Sequence, residues 1–142
     1  MSEVRRATRT DAEAILALWK AAEATASVTD TLEDVRRMIE TERAAFVVAM
    51  ADGAVVGSLI ATFDGWRGNM YRLATHPGQR RNGIARTLVA EAERVLDEWG
   101  AKRVTALVEM DHPWAVGFWR AAGYRLDERL SRYVRDLGRG GS

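Results

Sequence analysis

The sequence predicts a layered fold in which α-helices pack on a mixed β-sheet, of the α/β or α+β class. Apolar residues recur at helical spacing in four segments, and apolar runs rich in β-branched residues lie between them. Glycine, proline and aspartate separate the two kinds of segment. The length of 142 residues favours one domain with a single core. We expect residues 1–137 to form this domain and residues 138–142, GRGGS, to form a flexible tail.

The first part of the chain is predicted to contain one strand and two helices. Residues 4–7 form the short strand. A capping box of Thr10 and Glu13 begins the first helix, and a box of Asp30 and Glu33 begins the second. Apolar residues follow both boxes at helical spacing.

Three strands are predicted next. The apolar run at residues 44–50, the turn signal ADG and the run at residues 54–63 predict a β-hairpin with both faces partly buried. The sequence DGWRGN connects this hairpin to a third strand at residues 70–75. Pro77 ends that strand, because proline cannot continue a hydrogen-bonded ladder.

The second half of the chain alternates helices and strands. Residues 83–99 carry one apolar helix face, and Gly100 ends that helix. Residues 103–110 predict another strand, Pro113 begins a fourth helix, and residues 124–137 predict one or two closing strands. The predicted order is βααβββαβαβ, with a final β when the last segment forms two strands. We therefore expect six to seven strands and about four helices.

The composition argues against several classes of protein. The chain has no cysteine, which excludes disulfides, thiolate metal sites and a cysteine nucleophile. Its two histidines are too few for a histidine-based metal centre, so we expect no metal. A net charge of +1 gives no reason to expect nucleic-acid binding. The sequence shows neither a bilayer-spanning apolar run nor a signal peptide, so we expect a cytoplasmic protein that does not bind membranes.

The segment RRNGIAR, residues 80–86, has features of a phosphate-binding loop. A helix start leaves backbone N–H groups unpaired and carries partial positive charge, so it readily binds an anion. Gly83 allows a ligand to approach the backbone closely, and Arg80, Arg81 and Arg86 add charge that suits phosphate. The alternative is a basic turn that binds nothing. The chain lacks the P-loop and Rossmann glycine motifs, so we expect neither of those sites.

Two segments resemble motifs of the GCN5-related N-acetyltransferases, the GNAT family. Residues 73–93, LATHPGQRRNGIARTLVAEAE, resemble its motif A, whose signature Q/R-x-x-G-x-G/A is matched by Arg80, Gly83 and Ala85. HPWAVGFWRAAGY, ending at Tyr124, resembles its motif B. The predicted order of elements is that of the GNAT fold, so the resemblance covers nearly the whole chain. The stretch DGWRGNMYRLA is similar to a bacterial subgroup of small YpeA-like and RimI-like acetyltransferases.

This resemblance implies an acyltransferase that moves the acetyl group of acetyl-CoA to a primary amine by direct attack in a ternary complex. It implies that the amides of Arg81–Arg86 bind the CoA pyrophosphate. It also implies that the strand around Ala74 pairs with the pantetheine arm, where one amide polarises the thioester carbonyl. The implied donor-binding residues are Leu73, Ala74, Thr75, Arg80, Arg81, Asn82, Gly83, Ile84, Ala85, Arg86, His112 and Trp119. The resemblance also implies an acceptor that is a small-molecule amine or a peptide or protein amine, and it is compatible with a homodimer.

The chain departs from the family pattern at the customary acid and base positions. Trp119 occupies the place of a frequent tyrosine, His112 replaces the usual asparagine of motif B, and Asn69 and Leu107 stand where some members carry glutamate. This departure motivates an alternative function, a CoA-binding regulatory module with weak or no activity.

Three catalytic candidates remain, each with an alternative reading. Tyr71, which we expect on the same strand face as Asn69 and Leu73, either lines the acceptor cleft or packs as a core aromatic. Glu109 either binds or deprotonates the amine or is a solvated carboxylate at a strand end. His76 either acts near the thioester or caps the strand end.

The pattern also predicts places for four further aromatic residues. Trp19 and Trp99 lie on apolar helix faces and are predicted to be core residues. Trp66, in a glycine-rich connection, is either a lid over the acceptor or an oligomer contact. Tyr133 either enters the acceptor site from the closing strands or is a core or surface residue.

Overall fold

Helices cover both faces of a central β-sheet in the computed structural model, which describes residues 3–109 and 112–138. The elements are β1 (Glu3–Arg6), α1 (Ala12–Ala21), α2 (Leu32–Ile39), β2 (Ala44–Ala51), β3 (Ala54–Phe63), β4 (Gly68–Thr75), α3 (Ile84–Trp99), β5 (Val104–Ala106) and α4 (Pro113–Ala121). Short 3-10 turns cover Arg9–Asp11 and Pro77–Gln79. This order confirms the prediction as far as the fourth helix.

The sheet is mixed, as the sequence predicted. Its strands lie in the order β1-β2-β3-β4-β5, and the first four are antiparallel. β5 joins β4 in parallel through three residue pairs, the last of which is Met70 with Ala106. Within the described residues no strand pairs with β4 beyond that point, so its edge at residues 71–75 faces a gap.

Two apolar cores lie on opposite faces of this sheet. Ala45, Val47 and Ala49 of β2 pack with α3 and α4, whereas Phe46 and Val48 pack with α1 and α2. Burial on both faces explains why β2 and β3 read as nearly continuous apolar runs. It also confirms the prediction that both faces of the hairpin are at least partly buried.

The two tryptophans predicted to be core residues lie on different faces. Trp19 is buried in the core beneath α1, and its Nε1–H donates to Ser58 Oγ at 2.9 Å. Trp99 is partly buried beside the α3 core, with the guanidinium groups of Arg6 and Arg43 within 6.0 Å of its ring. Each tryptophan therefore packs against a core, and Trp99 keeps an exposed edge.

Gly57 on β3 sets how closely α3 approaches the sheet. A Cβ atom at this position would lie 2.7 Å from Ile84 Cγ2 and 3.0 Å from Leu88 Cδ1. Both residues belong to the first turns of α3. The absence of a side chain at Gly57 therefore positions the N-terminus of this helix.

Both predicted capping boxes are displaced. Thr8 and Asp11 form the first box, because a 3-10 turn precedes α1 and moves the cap two residues towards the N-terminus. Thr31 caps α2 by accepting from the Asp34 N–H at 3.1 Å. Asp30 does not cap α2, since its carboxylate binds Arg72.

The predicted closing strands are wrong. Residues 124–138 contain no strand, so the described residues form five strands rather than six or seven. As a strand, this segment would place Leu126 and Leu130 on the same face as Glu128 and Arg132. A face on which apolar and charged residues alternate cannot be buried at low free-energy cost, and the large apolar residues are exposed instead.

β5 is shorter than predicted. It contains three residues rather than the expected 103–110, because it diverges from β4 after Ala106. The end of the predicted strand, residue 110, lies outside the described residues. The predicted tail also lies there apart from residue 138.

Candidate active site

The loop between β4 and α3 presents a row of backbone N–H groups. None of the N–H groups of residues 80–86 donates to a carbonyl within the described chain. Arg81 and Gly83 adopt left-handed backbone angles, φ 77° and 75°, which turn the chain sharply into the helix. Alternating backbone conformations with unpaired N–H groups form an anion-binding concavity, here at the positive end of a 16-residue helix.

Local contacts shape this loop without occupying its N–H groups. Asn82 Nδ2 donates to Gln79 Oε1 at 2.9 Å. The Gly83 carbonyl accepts from the Thr87 N–H and from Thr87 Oγ1. No atom lies within 4 Å of where a Gly83 Cβ would stand, so this part of the loop faces open space. Ligand atoms can therefore reach the backbone at Gly83.

Polar groups without partners surround the loop. The Arg80 guanidinium lies 5.1 Å from the centre of the Trp114 ring. Arg80 Nε, Trp114 Nε1 and Thr75 Oγ1 are buried, and none has a hydrogen-bond partner among the described residues. Buried polar groups usually find partners, and three groups without one lie close to this loop. The sequence did not indicate Trp114 as a site residue, because its position predicted only the first turn of a helix.

Arg86 and the C-terminal half of α4 flank a separate cleft. A cleft of about 200 Å³ lies between α3 and α4 and is lined by Arg86, Glu93 and Phe118. Arg81 and Arg86 are themselves exposed, so their charges are available to an anion at the helix start. Ile84, by contrast, is buried and anchors the loop to the sheet.

A β-bulge interrupts β4 beside the gap in the sheet. The register with β3 shifts between Ser58 and Ile60, and Arg72 adopts a left-handed φ of 56°. Leu73 consequently packs on the α3 face, whereas Tyr71 packs on the α1 face. The expectation that Tyr71 and Leu73 share a face is wrong, because the extra residue reverses the alternation of side chains.

The structure gives each catalytic candidate a definite contact. The Tyr71 hydroxyl lies 3.1 Å from Thr62 Oγ1 in a partly buried site. His76 Nδ1 accepts from the Gly78 N–H at 3.1 Å and so caps the turn after β4. This geometry matches the capping alternative for His76.

The structure brings Glu109 close to His112. Oε2 of Glu109 lies 2.9 Å from Nε2 of His112. Oε1 accepts from the backbone N–H of Thr25, also at 2.9 Å, so the carboxylate reaches the segment between α1 and α2. Glu109 is therefore anchored through Oε1 and not freely solvated, whereas Oε2 accepts no hydrogen bond within the described residues.

Trp119 is a core residue in this structure. It is buried and packs edge-on against Phe118 and Tyr124, with ring centres 5.4 and 4.8 Å apart. The Tyr124 hydroxyl donates to Glu93 Oε2 at 2.6 Å. Burial, followed by this hydrogen bond to Glu93, raises the pKa of Tyr124. The phenol after α4 is thus held neutral and engaged with α3.

A second set of residues near the gap was not identified from the sequence. Nη2 of Arg72 donates to both carboxylate oxygens of Asp30, at 2.9 and 3.1 Å. The Arg72 guanidinium also lies over the Trp19 ring, 4.8 Å from its centre. The available signal was a charged residue within the apolar run MYRLAT. Its partner is 42 residues away in the chain, beyond any local pattern.

Trp66 stands apart from these groups. It is 73% exposed, with the Arg67 guanidinium 4.4 Å from its ring. The Asp64 carboxylate accepts from the N–H groups of Trp66 and Arg67 and fixes the turn between β3 and β4. The role of Trp66 as a lid over the acceptor or as an oligomer contact stays a prediction.

Neither a metal cluster nor a membrane span is found within the described ranges. No group of three or more His, Asp or Glu side chains there could hold a metal ion. No helix in that part of the chain is long and apolar enough to cross a bilayer.

Comparisons with known proteins agree with this geometry. Residues 13–124 match the sequence model of the Acetyltransferase (GNAT) family. The chain is 30% identical over 122 residues to an acetyltransferase of Pectobacterium atrosepticum, covering 86% of each protein. It superposes on the PaiA N-acetyltransferase of Thermoplasma acidophilum in complex with coenzyme A, with a TM-score of 0.82 and 16% identity, over 90% of this chain and 92% of that one. It superposes on the aminoglycoside N-acetyltransferase AAC(6')-Iy in complex with CoA, with a TM-score of 0.79 and 20% identity, over 96% of both chains.

Proposed function

The chain belongs to the acetyltransferase (GNAT) family, and on that premise we propose that it transfers the acetyl group of acetyl-CoA to a primary amine. Transfer occurs by direct attack while both substrates are bound. The observation that carries this proposal is the row of unpaired N–H groups at residues 80–86, at the end of a strand whose edge faces a gap.

The donor fits these two features together. The pyrophosphate binds to the amides of Arg81–Arg86, assisted by the charges of Arg80, Arg81 and Arg86. The pantetheine arm lies in the gap and pairs with the backbone of Leu73, Ala74 and Thr75. Arg80 Nε, Trp114 Nε1 and Thr75 Oγ1, which are without partners in the described chain, support a polar ligand at this place.

The reaction balances without a metal or an additional cofactor. The neutral amine nitrogen forms a bond to the thioester carbonyl carbon, and a backbone amide of the β4 edge stabilises the developing oxyanion. The carbon–sulfur bond then breaks with its electron pair on sulfur. The amine loses one proton to a base or to water, and the thiolate gains one. The products are an N-acetylated amine and CoA.

Glu109 is the strongest of the three candidates for the proton acceptor. Its Oε2 lies 2.9 Å from His112 Nε2 but accepts no hydrogen bond within the described residues, so this oxygen is free to take a proton. Tyr71 and His76 are weaker candidates for the proton acceptor, because Thr62 and Gly78 already engage their polar atoms. Holding the two reactants together supplies much of the rate, so a weak base suffices.

Several finer features belong to the same proposal. Residues 1–137 form one catalytic domain of a bacterial, cytoplasmic enzyme in the small YpeA-like or RimI-like subgroup. The acceptor is a small-molecule amine or a peptide or protein amine, and the enzyme forms a homodimer. It takes no metal and binds neither nucleic acid nor membranes.

A CoA-binding module with weak or no activity is the second candidate. The observation that favours it is the buried Trp119 at the position of the family's frequent tyrosine. This candidate predicts donor binding without release of thiol in the presence of amines. A screen of amines with a thiol-release readout separates the two.

Calorimetry with acetyl-CoA tests the donor site on wild type and Gly83→Asp. We expect the wild type to bind and the variant to lose binding, because a carboxylate at this open position repels the pyrophosphate. Gly100→Asp is the matched control. Gly100 is also left-handed with open space around it, but it lies at the opposite end of α3.

The control variant should bind acetyl-CoA as the wild type does, although both variants strain the backbone. A folded wild type that does not bind would contradict the acetyltransferase proposal, and residues 80–86 would then be a basic turn. Binding that survives in Gly83→Asp would place the donor elsewhere.

A further inference from the structure

The segment between α1 and α2, residues 22–31, spans the mouth of the gap between β4 and β5. At one end, the Thr25 N–H donates to Glu109, which follows β5. At the other end, Asp30 binds Arg72 of β4. The two strands diverge after Met70 and Ala106, so the segment joins structures that the sheet itself leaves separate.

Arg72 is held through both its backbone and its side chain. Its carbonyl accepts from Ser58 Oγ at 3.0 Å, and Ser58 Oγ accepts from Trp19 Nε1. Its guanidinium lies between the Trp19 ring and the Asp30 carboxylate. The side chains of Arg72 and Asp30 are 17% and 21% exposed, so solvent screens this ion pair less than an ordinary surface pair.

The backbone of Arg72 is strained. A left-handed φ of 56° on a residue with a long side chain persists only where its surroundings fix it. Here the surroundings are Trp19, Ser58 and Asp30. The strain lies immediately before Leu73, at the bulge that sets the direction of the edge facing the gap.

We propose that Arg72 is a positioning residue, whose ion pair with Asp30 holds the β4 bulge so that the amides after it face the thioester carbonyl. This inference rests on the proposed function, because it concerns the donor edge of the same site. Breaking the ion pair releases the bulge and misaligns the amide that polarises the carbonyl. The pyrophosphate site at residues 80–86 keeps its own geometry, so the donor still binds.

The alternative is an ion pair that only stabilises the fold. Both readings predict some loss of stability in Arg72→Gln, so unfolding data cannot separate them. The polarisation of the bound carbonyl does separate them, because it depends on the direction of the amide and not on the stability of the domain.

The experiment records the ¹³C resonance of acetyl-CoA labelled at the thioester carbonyl, bound to wild type, Arg72→Gln and Asp30→Asn. Calorimetry on the same samples gives the affinity for acetyl-CoA. We expect the wild type to shift the resonance away from that of free acetyl-CoA. Both variants should return it most of the way to the free value, with the affinity changed by less than about threefold because the phosphate contacts persist.

Two further variants sharpen the result. The double variant Arg72→Gln/Asp30→Asn should match either single variant, since residues that act through one contact are not additive. Arg72→Lys keeps the charge and should recover part of the shift, which also covers a poorly folded Arg72→Gln. Arg94→Gln removes an exposed arginine paired with Glu91 on α3 and should leave the resonance at the wild-type position.

The outcomes distinguish this inference from the function on which it rests. A wild type that does not bind acetyl-CoA overturns both. A wild type that binds, with Arg72→Gln and Asp30→Asn showing the same carbonyl resonance, overturns the positioning role alone. Loss of binding in both variants also overturns it, because the contact would then maintain the whole site.

Discussion

At the scale of single residues, Asp11 joins β1 to α1. Its carboxylate accepts from both terminal nitrogens of Arg5, at 2.8 and 3.0 Å, and from the Thr8 N–H at 2.7 Å. The hydrogen bonds from Arg5 are the largest influence that lowers the pKa of Asp11, and burial opposes them. The charged carboxylate is therefore the form that stabilises this junction.

The stability contributed by Asp11 should depend on pH in a defined direction. A pKa lowered on folding gives stability that is present above the unfolded pKa and is lost as pH falls through the folded pKa. We expect Asp11→Asn to lower the free energy of unfolding by about 1 kcal/mol at pH 7. The difference from wild type should shrink at a pH below about 3.9, the ordinary value for aspartate.

Urea denaturation of both proteins at neutral and acid pH measures this. Asp136→Asn, in the exposed C-terminal segment, is the control and should match the wild type at either pH. A difference for Asp11→Asn that is independent of pH would contradict the ionic role of the carboxylate.

Ser58 is the buried acceptor for Trp19 and the donor to Arg72. We expect Ser58→Ala to lower the free energy of unfolding by about 1–3 kcal/mol, because it leaves the Trp19 N–H and the Arg72 carbonyl buried without partners. Chemical denaturation gives this value. Thr62→Ala, which removes a partly buried hydroxyl on the same strand, should have a smaller effect. Equal stability of Ser58→Ala and wild type would show that water replaces the hydroxyl.

At the scale of elements, the contact between β3 and α3 couples the sheet to the loop at residues 80–86. We expect Gly57→Ala to displace Ile84 and the first turn of α3, because the new methyl group would lie 2.7 Å from Ile84 Cγ2. Overpacking of this kind lowers stability by about 1–3 kcal/mol. The displaced helix start should also weaken acetyl-CoA binding, as measured by calorimetry.

Gly68→Ala is the matched variant for this prediction. Its methyl group would lie 3.2 Å from Leu96, near the C-terminal end of α3 and away from the loop. It should lower stability without changing acetyl-CoA affinity. Equal effects of the two variants on affinity would contradict a local role for Gly57.

Elements whose pattern is local were predictable, and those set by distant contacts were not. The four helices and the first four strands follow from apolar periodicity and turn residues. The caps moved by one or two residues because a 3-10 turn precedes α1 and because Asp30 takes a partner from β4. The prediction of closing strands was wrong because it followed the alternation of residues, and a strand here would have had to bury charged side chains.

The same distinction applies to the candidate site. Glycine and arginines beside a helix start predict the loop at residues 80–86, since all its parts are adjacent in the chain. The bulge at Arg72 depends on Asp30 and Trp19, which lie on other elements. Short-range patterns show neither that contact nor the bulge. Regular alternation therefore placed Tyr71 and Leu73 on one face, although the bulge puts them on opposite faces.

At the scale of the whole molecule, the C-terminal segment adds little to the packed domain. Residues 126–137 have no helix or strand, and their large apolar side chains are exposed, with Tyr133 95% accessible. We expect a chain that ends at Arg125 to unfold at the same urea concentration as the full chain, because little buried surface is lost. A lower midpoint would show that the segment packs on the domain in solution.

The same segment also bears on association. Exposed apolar side chains favour contact with another surface, so the shortened chain should self-associate less than the full chain. Sedimentation over a range of concentrations measures this, and unchanged association would place any dimer contact elsewhere. The predicted homodimer stays a prediction until then.

The gap beside β4 has a consequence for the motions of the protein during turnover. If the donor arm completes the sheet there, acetyl-CoA supplies hydrogen-bond partners that the polypeptide lacks. Amide hydrogens of residues 71–75 that face the gap should exchange rapidly with deuterium in the free protein and slowly in the complex. The melting temperature should rise with donor concentration by mass action. Each release of CoA would then loosen this part of the sheet, and each new acetyl-CoA would order it again.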